Sequence, residues 1–298
     1  MSTRLPRRII REVQERLTER GGGAASIAEI HGLGGGCINP AARIVLETGD
    51  AFFLKWNEEL PSELFLLEAE GLEALRQTAA IRVPTVVGVG DGWLLLEFID
   101  STPFGPGFGK RLGRALAELH MPGSERYGWT KPNYLGPLPQ ENLWVEDWAA
   151  FWRDHRIHPQ LRRAHDGRRI SMSEKREIEA LLVRVDALLT DGPAGASLLH
   201  GDLWSGNVLS SRDGDPVLVD PAVYYGDHEV DLAMAELFGG VPHDFLSAYR
   251  ERLPLRSGYV EVRRDLYQLY PLLVHVNLFG GGYRAQAMDH VRRLLGKA

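Results

Sequence analysis

The apolar positions of this chain mark a short β-rich half followed by a longer helical one. Ile9, Ile10, Val13 and Leu17 recur among charges over residues 7–20, the spacing of an amphipathic helix packed on the first half. Ala42–Leu46 and Ala51–Trp56 read as strands, and Thr48-Gly49-Asp50 between them closes a hairpin. Leu64, Leu67, Leu72 and Leu75 stand among Glu63, Glu68, Glu70 and Glu73, which predicts a helix over 62–77. Two more strands lie between Val83 and Ile99, around Gly90-Asp91-Gly92. The predicted order is strand, strand, helix, strand, strand.

From Ser101 the pattern changes. Pro103, Gly105, Pro106, Gly107 and Gly109 mark a flexible crossing, so the boundary divides the chain into 1–100 and 101–298. Beyond it, Leu112, Ala115, Leu116 and Leu119 predict a helix ending near His120. Ser171 with Glu174 three residues on is a capping box that opens a second helix, continuing through Ile178 to Leu189. Two short apolar runs, Ser197–Leu199 and Pro216–Val219, each end in polar residues. Residues 229–298 read as helical apart from Gly280-Gly281-Gly282, and no internal repeat or low-complexity tract appears.

Composition narrows the class. The 298 residues are 44% hydrophobic and 25% charged, the balance of an ordinary globular protein with a sizeable core. Lys plus Arg total 34 against 40 Asp plus Glu, a net charge of −6, which argues against charge-driven binding to nucleic acid or an anionic membrane. No apolar run is long enough to span a bilayer, and the basic stretch Arg4–Arg11 lacks the apolar core of a signal peptide. With Cys37 as the single cysteine no intrachain disulfide forms, so a reducing compartment, the cytoplasm, is the expected location.

The candidate chemistry centres on His200-Gly201-Asp202-Leu203-Trp204-Ser205-Gly206-Asn207. The spacing is that of the kinase catalytic loop H-R-D-x-x-x-x-N, with Gly201 in place of Arg. Asp202 suits a base that takes the proton of an attacking hydroxyl. Asn207, and Asp220 at the end of the second apolar run, offer hard oxygen ligands for Mg²⁺. Lys55, on a predicted strand, suits the phosphates of ATP. Glu68 falls on the predicted helix as its partner, with Glu63 and Glu70 as alternatives. Gly34, Gly35 and Gly36 precede the Lys55 strand, where their backbone N–H groups could approach phosphate oxygens. The backbone of Glu97, Phe98 and Ile99 lies where the two halves join, placed to meet an adenine.

These motifs resemble the fructosamine kinase (ketosamine-3-kinase) family, within the wider group of aminoglycoside-phosphotransferase-like and choline-kinase-like enzymes. The resemblance rests on Gly35-Gly36-Cys37-Ile38, the His200–Asn207 motif, Asp220-Pro221-Ala222-Val223-Tyr224-Tyr225-Gly226, Tyr127-Gly128-Trp129, and Asp147-Trp148-Phe151 with Arg156. It implies an α+β, two-lobed protein-kinase-like fold, with a small antiparallel-sheet N-lobe and a larger, mainly helical C-lobe. It also implies ATP- and Mg²⁺-dependent phosphorylation of a sugar hydroxyl on a ketoamine, such as a fructose- or ribulose-modified lysine. Asp202 would then be the base, Asn207 and Asp220 the metal ligands, and Lys55 with Glu68 the phosphate grip.

Only eleven residues take Asp220 to Asp231, too few for an activation loop and a peptide-docking platform, so a small acceptor is favoured over a protein. Asp231 opens a helix and is expected to brace the catalytic loop. Trp204, Asp147, Arg156 and Tyr225 are the candidates for gripping a sugar. The Trp148, Phe151 and Trp152 stripe nearby, at helical spacing, reads as core. Cys37 has two readings, a small residue among glycines or a reactive thiol that links two chains in a redox-dependent homodimer. Two other functions remain compatible with the sequence: a kinase of an aminoglycoside- or choline-like hydroxyl compound, or a nucleotide-binding module without catalysis.

Overall fold

The computed structural model describes residues 5–21, 24–34, 39–190 and 192–297. They fall into two compact units. One comprises the chain up to Gly105 together with Leu209–Asp220; the other comprises Pro106–Val208 and the chain from Pro221 onward. No helix among the described residues is long and apolar enough to cross a membrane.

In the first unit, α1 (Arg7–Gly21) precedes β1 (Ile27–Leu33), β2 (Ala41–Leu46), β3 (Ala51–Trp56), α2 (Leu64–Gln77), β4 (Val86–Gly90) and β5 (Trp93–Glu97). The strands form one antiparallel sheet in the order β1-β2-β3-β5-β4. Alternation decides its faces: β2 buries Ala42, Ile44 and Leu46. These residues, with Leu54, Trp56, Val87, Trp93 and Leu95, receive the α1 stripe of Ile9, Val13 and Leu17. Each fully buried aliphatic side chain there contributes about 1.5–3 kcal/mol. The Trp93 indole N–H donates to Glu12 at 2.7 Å and ties α1 to the sheet.

Three strands precede α2 where the sequence predicts two. The additional one, β1, is exposed apart from Ile27, so no apolar alternation announces it. The downstream segment Leu209–Asp220 also joins this unit. Ser210 and Ser211 pair with Thr102 and Ser101. The next strand, Pro216–Leu218, bridges to Arg82, whose carbonyl accepts the Leu218 N–H at 3.0 Å.

The second unit is mainly helical. It contains α3 (Phe108–Leu119), a hairpin of Asn133–Leu135 with Leu138–Gln140, and a helical stretch from Trp148 to Asp166 with a π-helical turn at Trp152–Ile157. It continues with α4 (Met172–Leu182), α5 (Glu229–Leu237), α6 (Asp244–Arg250), α7 (Arg264–Phe279) and α8 (Gly282–Lys297). Leu266, Leu269, Leu272 and Leu273 of α7 are fully buried and form its centre. An antiparallel-sheet unit and a mainly helical unit make up the α+β class that the sequence predicts.

The helix opened by Ser171 ends earlier than its apolar pattern, at Leu182. Its capping box is complete: Ser171 Oγ accepts the Glu174 N–H, and Glu174 accepts the Ser171 N–H at 2.7 Å. Burial alone would raise the Glu174 pKa, but the Arg284 guanidinium and the Ser171 hydrogen bonds pull it down to about 2. The folded value lies below the unfolded 4.5, so this stabilisation is complete above pH 4.5 and fades as pH falls toward 2. Ser171→Ala should cost about 1 kcal/mol, seen as a lower urea midpoint with kcat unchanged.

Candidate active site

The first unit holds a buried cation between two acids. Lys55 lies on β3, paired on one side with β2 and on the other with β5, and is 5% exposed. Its ammonium forms ion pairs with Glu68 on α2 and with Asp220 Oδ1, the latter at 2.8 Å. Of the three acids weighed as the Lys55 partner, Glu68 is the one in this ion pair. Asp220 comes just after the strand Pro216–Leu218 and adopts a left-handed backbone, φ 55°, with its side chain half exposed. Burial on its own would lower the Lys55 pKa, but the Asp220 and Glu68 carboxylates outweigh it and raise the pKa above the ordinary value. Burial likewise pushes the Glu68 carboxyl up to about 7, against the pull of Lys55.

Around this group, Glu97 ends β5 with its side chain taken by Arg82 at 2.5 Å and by the Thr85 N–H at 3.1 Å. Phe98, beyond the strand, stacks under Arg43, 4.9 Å from guanidinium carbon to ring centroid. Ile99 continues the same non-ladder segment. Gly34 is exposed at the end of β1, while Gly35, Gly36 and Cys37 lie outside the described residues, as does any dimer contact through Cys37.

The second unit holds the catalytic-loop motif. The antiparallel pair Ser197–Leu199 and Tyr224–Gly226 delivers His200, which is fully buried. Asp231, in the first turn of α5, is the brace. Its Oδ2 accepts the His200 N–H at 2.7 Å, its Oδ1 accepts the Gly201 N–H at 3.0 Å, and His120 Nε2 lies 3.2 Å from Oδ2. Burial would raise the Asp231 pKa, yet hydrogen bonds from His120 and from the loop backbone hold it below the usual value. The ionised carboxylate accepts, so His120 donates from Nε2 and uses Nδ1 toward the Tyr249 hydroxyl, 2.9 Å away.

The loop then turns outward. Asn207 donates to the Asp202 carbonyl at 2.8 Å and to Asp202 Oδ2 at 3.0 Å, which fixes the carboxylate's orientation. Gly201 explains its own departure from the kinase arginine. It sits at φ 82°, and a Cβ there would lie 2.1 Å from the Ala222 carbonyl oxygen, whose residue's N–H donates to His200 O. No side chain fits.

The comparisons agree with this motif. A sequence profile of the family described as fructosamine kinase matches residues 9–297. The chain is 39% identical to a Synechocystis protein named "Probable ketoamine kinase", over 95% of this chain and 96% of that one. It is 40% identical to a chloroplastic protein-ribulosamine 3-kinase of Arabidopsis thaliana, covering 93% of this chain and 86% of the relative. The chain belongs to the fructosamine kinase family. A solved fructosamine-3-kinase-like structure from Thermobifida fusca superposes with a TM-score of 0.86 at 37% identity, covering 95% of this chain and 98% of that one. The aminoglycoside phosphotransferase APH(4)-Ia, at 16% identity and a TM-score of 0.65 over 95% and 99% of the two chains, shares the fold. That fold is the protein-kinase-like one expected from the sequence.

The remaining candidates of this fructosamine kinase occupy different settings. Trp204 is half exposed on the catalytic loop. Tyr225 meets Trp129 and Trp144 in tilted ring contacts, at centroid distances of 5.7 and 6.0 Å. Asp147 is exposed and caps the Trp148 helix, accepting the Ala150 N–H at 2.6 Å. Arg156 corrects the expectation of a sugar contact, because it is fully buried. Its guanidinium donates to the Glu141 carbonyl at 2.6 Å and to Asn142 Oδ1 at 2.8 Å, and stacks 3.9 Å from the Tyr224 ring centroid. Asn142 in turn donates to Asn133, and Asn133 to the Val223 carbonyl, both at 2.8 Å. Arg156 therefore anchors the segment after Asp220. Sequence reasoning missed this amide chain and His120 as a brace, since no local pattern links His120 to Asp231, 111 residues away.

Proposed function

We propose that this fructosamine kinase transfers the γ-phosphoryl group of ATP to a sugar hydroxyl of a ketoamine. The observation that carries the reading is the orientation of Asp202 by Asn207, on a loop whose backbone is fixed by buried Asp231. Asp202 takes the hydroxyl proton as the sugar oxygen bonds to phosphorus and the bond to the ADP oxygen breaks. Lys55, held by Glu68, binds phosphate oxygens. Most of the rate enhancement on this reading comes from positioning and electrostatics.

The donor set fits Mg²⁺. Among the described residues no group of three or more His, Cys, Asp or Glu side chains forms a protein cage for a metal. Mg²⁺ at kinase sites uses one or two carboxylates with phosphate oxygens, and Asp220 with the Asn207 amide oxygen are ligands of that kind. When bound, the ion neutralises charge on the transferring phosphoryl group. Asp220 and Asn207 are the residues that would hold it.

Glu68 gives this reading a pH signature. Only its ionised form attracts Lys55, so kcat/KM for ATP should rise with pH through an apparent pKa near 7. Glu68→Gln should flatten that limb; an unchanged limb would assign the titration to another group. The folded value exceeds the unfolded 4.5, so folding takes up a proton and this carboxyl stabilises the fold less as pH rises from 4.5 to about 7.

The deciding experiment is ADP release with Mg-ATP on fructosyl-lysine, ribulosyl-lysine, an aminoglycoside and choline. Turnover confined to the ketoamines supports the proposal, and turnover only on another acceptor overturns the substrate while keeping the chemistry.

A further inference from the structure

Beside the catalytic loop, the second unit carries an aromatic surface that, apart from Trp204, the roles above leave unused. The Trp204 ring meets Phe238, the residue after α5, edge-on at 6.3 Å between centroids. Phe238 lies 4.8 Å from His275 of α7, and His275 lies 4.8 Å from Tyr283 in the first turn of α8. Phe279, at the end of α7, closes the far side at 5.5 Å from His275. None of the five rings is buried, and Phe279 is 52% exposed. Gly239-Gly240 after Phe238 and Gly280-Gly281-Gly282 after Phe279 leave the rims without side chains. A contiguous aromatic surface of this kind, half-buried apart from exposed Phe279, marks a binding surface.

Its polar groups give it a direction. His275 Nδ1 lies 2.8 Å from the Pro271 carbonyl, which can only accept, so Nδ1 carries the proton. Burial lowers the His275 pKa below the ordinary value. The ring is therefore neutral near pH 7 and presents Nε2 as an acceptor among aromatic faces, a setting suited to a protonated amine. Beyond Phe279, exposed Arg169 brings Nη1 to 3.1 Å from where a Cβ on Gly280 would sit. Moving away from Asp202, the surface thus runs from an indole, through aromatic faces with one acceptor, to a guanidinium.

We propose that this surface is the subsite for the amine end of a ketoamine built on a free amino acid. The inference rests on the reading that the sugar is phosphorylated at Asp202. The sugar lies on Trp204, the secondary ammonium donates to His275 Nε2, the methylenes of a lysine chain run along Phe279, and the free carboxylate meets Arg169. A lysine within a polypeptide has no such carboxylate.

Three acceptors sharing one sugar test this: fructosyl-lysine, its α-carboxamide and fructosyl-methylamine. KM should rise about 3–10-fold from the acid to the amide, the size of one ordinary net hydrogen bond, and further for the methylamine adduct. Arg169→Ala should raise KM for the acid to the level of the amide and leave the amide unchanged. Phe279→Ser should raise KM for both lysine adducts and spare the methylamine adduct. KM for ATP and kcat should hold in both variants, whose altered side chains are exposed. Equal KM values across the three acceptors, or Arg169→Ala without effect on the acid, would overturn the subsite alone. No ADP release from any ketoamine would remove the underlying reading and the subsite together.

Discussion

Asp202→Asn is expected to lower kcat by about 10²–10⁴-fold, the range contributed by a positioned general base. The substitution keeps shape and removes the proton acceptor. Asn207 can still donate to the Asp202 carbonyl, which it meets at 2.8 Å, and the Asp231 hydrogen bonds to the loop backbone do not involve the replaced side chain. The groups assigned to the phosphates, Lys55 with Glu68, belong to the other unit. ATP affinity, read by calorimetry, should therefore change less than about twofold while single-turnover phosphorylation collapses. A variant within tenfold of the wild-type kcat would show that Asp202 is not the base. A variant that also lost ATP binding would show that its carboxylate serves the nucleotide.

The second large effect belongs to Asp231. It is fully buried and accepts from the His200 N–H, the Gly201 N–H and His120 Nε2. Replacement by alanine leaves three donors, two of them buried, without this acceptor, and removal of one member of such a buried group costs about 3–5 kcal/mol. Against a total stability of about 5–15 kcal/mol, that brings the protein close to unfolding at 37 °C. Asp231→Asn separates fold from function. It restores volume and one acceptor but turns an amide NH₂ toward a backbone N–H, so the loop shifts while most of the packing survives. Urea melts should show a smaller loss than for alanine, while kcat still falls at least tenfold. Full activity in the asparagine variant would reduce Asp231 to a helix cap.

The sequence made some of this site readable and hid the rest for identifiable reasons. The His200–Asn207 spacing is local, so its polar residues could be named before any fold was known. The β2–β3 hairpin was legible because apolar residues alternate around Thr48-Gly49-Asp50. Glu68 as the Lys55 partner came from helical periodicity, though only the fold separates it from Glu63 and Glu70. β1 carries no pattern because water covers nearly all of it. The hairpin Asn133–Gln140 escaped notice for the opposite reason. Two of its four inward residues, Asn133 and Gln140, are polar, and they are buried because each finds amide or carbonyl partners. Arg156 misled in the same way, since a guanidinium held through its two terminal nitrogens and by ring faces looks in sequence like one awaiting a ligand.

The discontinuity of the first unit bears on how such enzymes can be recombined. Ser101 and Thr102 find their strand partners in Ser211 and Ser210, more than a hundred residues downstream. A chimera spliced once near Gly105 would therefore pair the sheet of one parent with the Leu209–Asp220 hairpin of another, and would inherit Asp220 from the wrong source. Exchanging the first unit intact requires breakpoints at Gly105, Val208 and Asp220 together. In a laboratory shuffling library, single-crossover offspring should be depleted among active clones, and exchanges that move both segments at once should be retained.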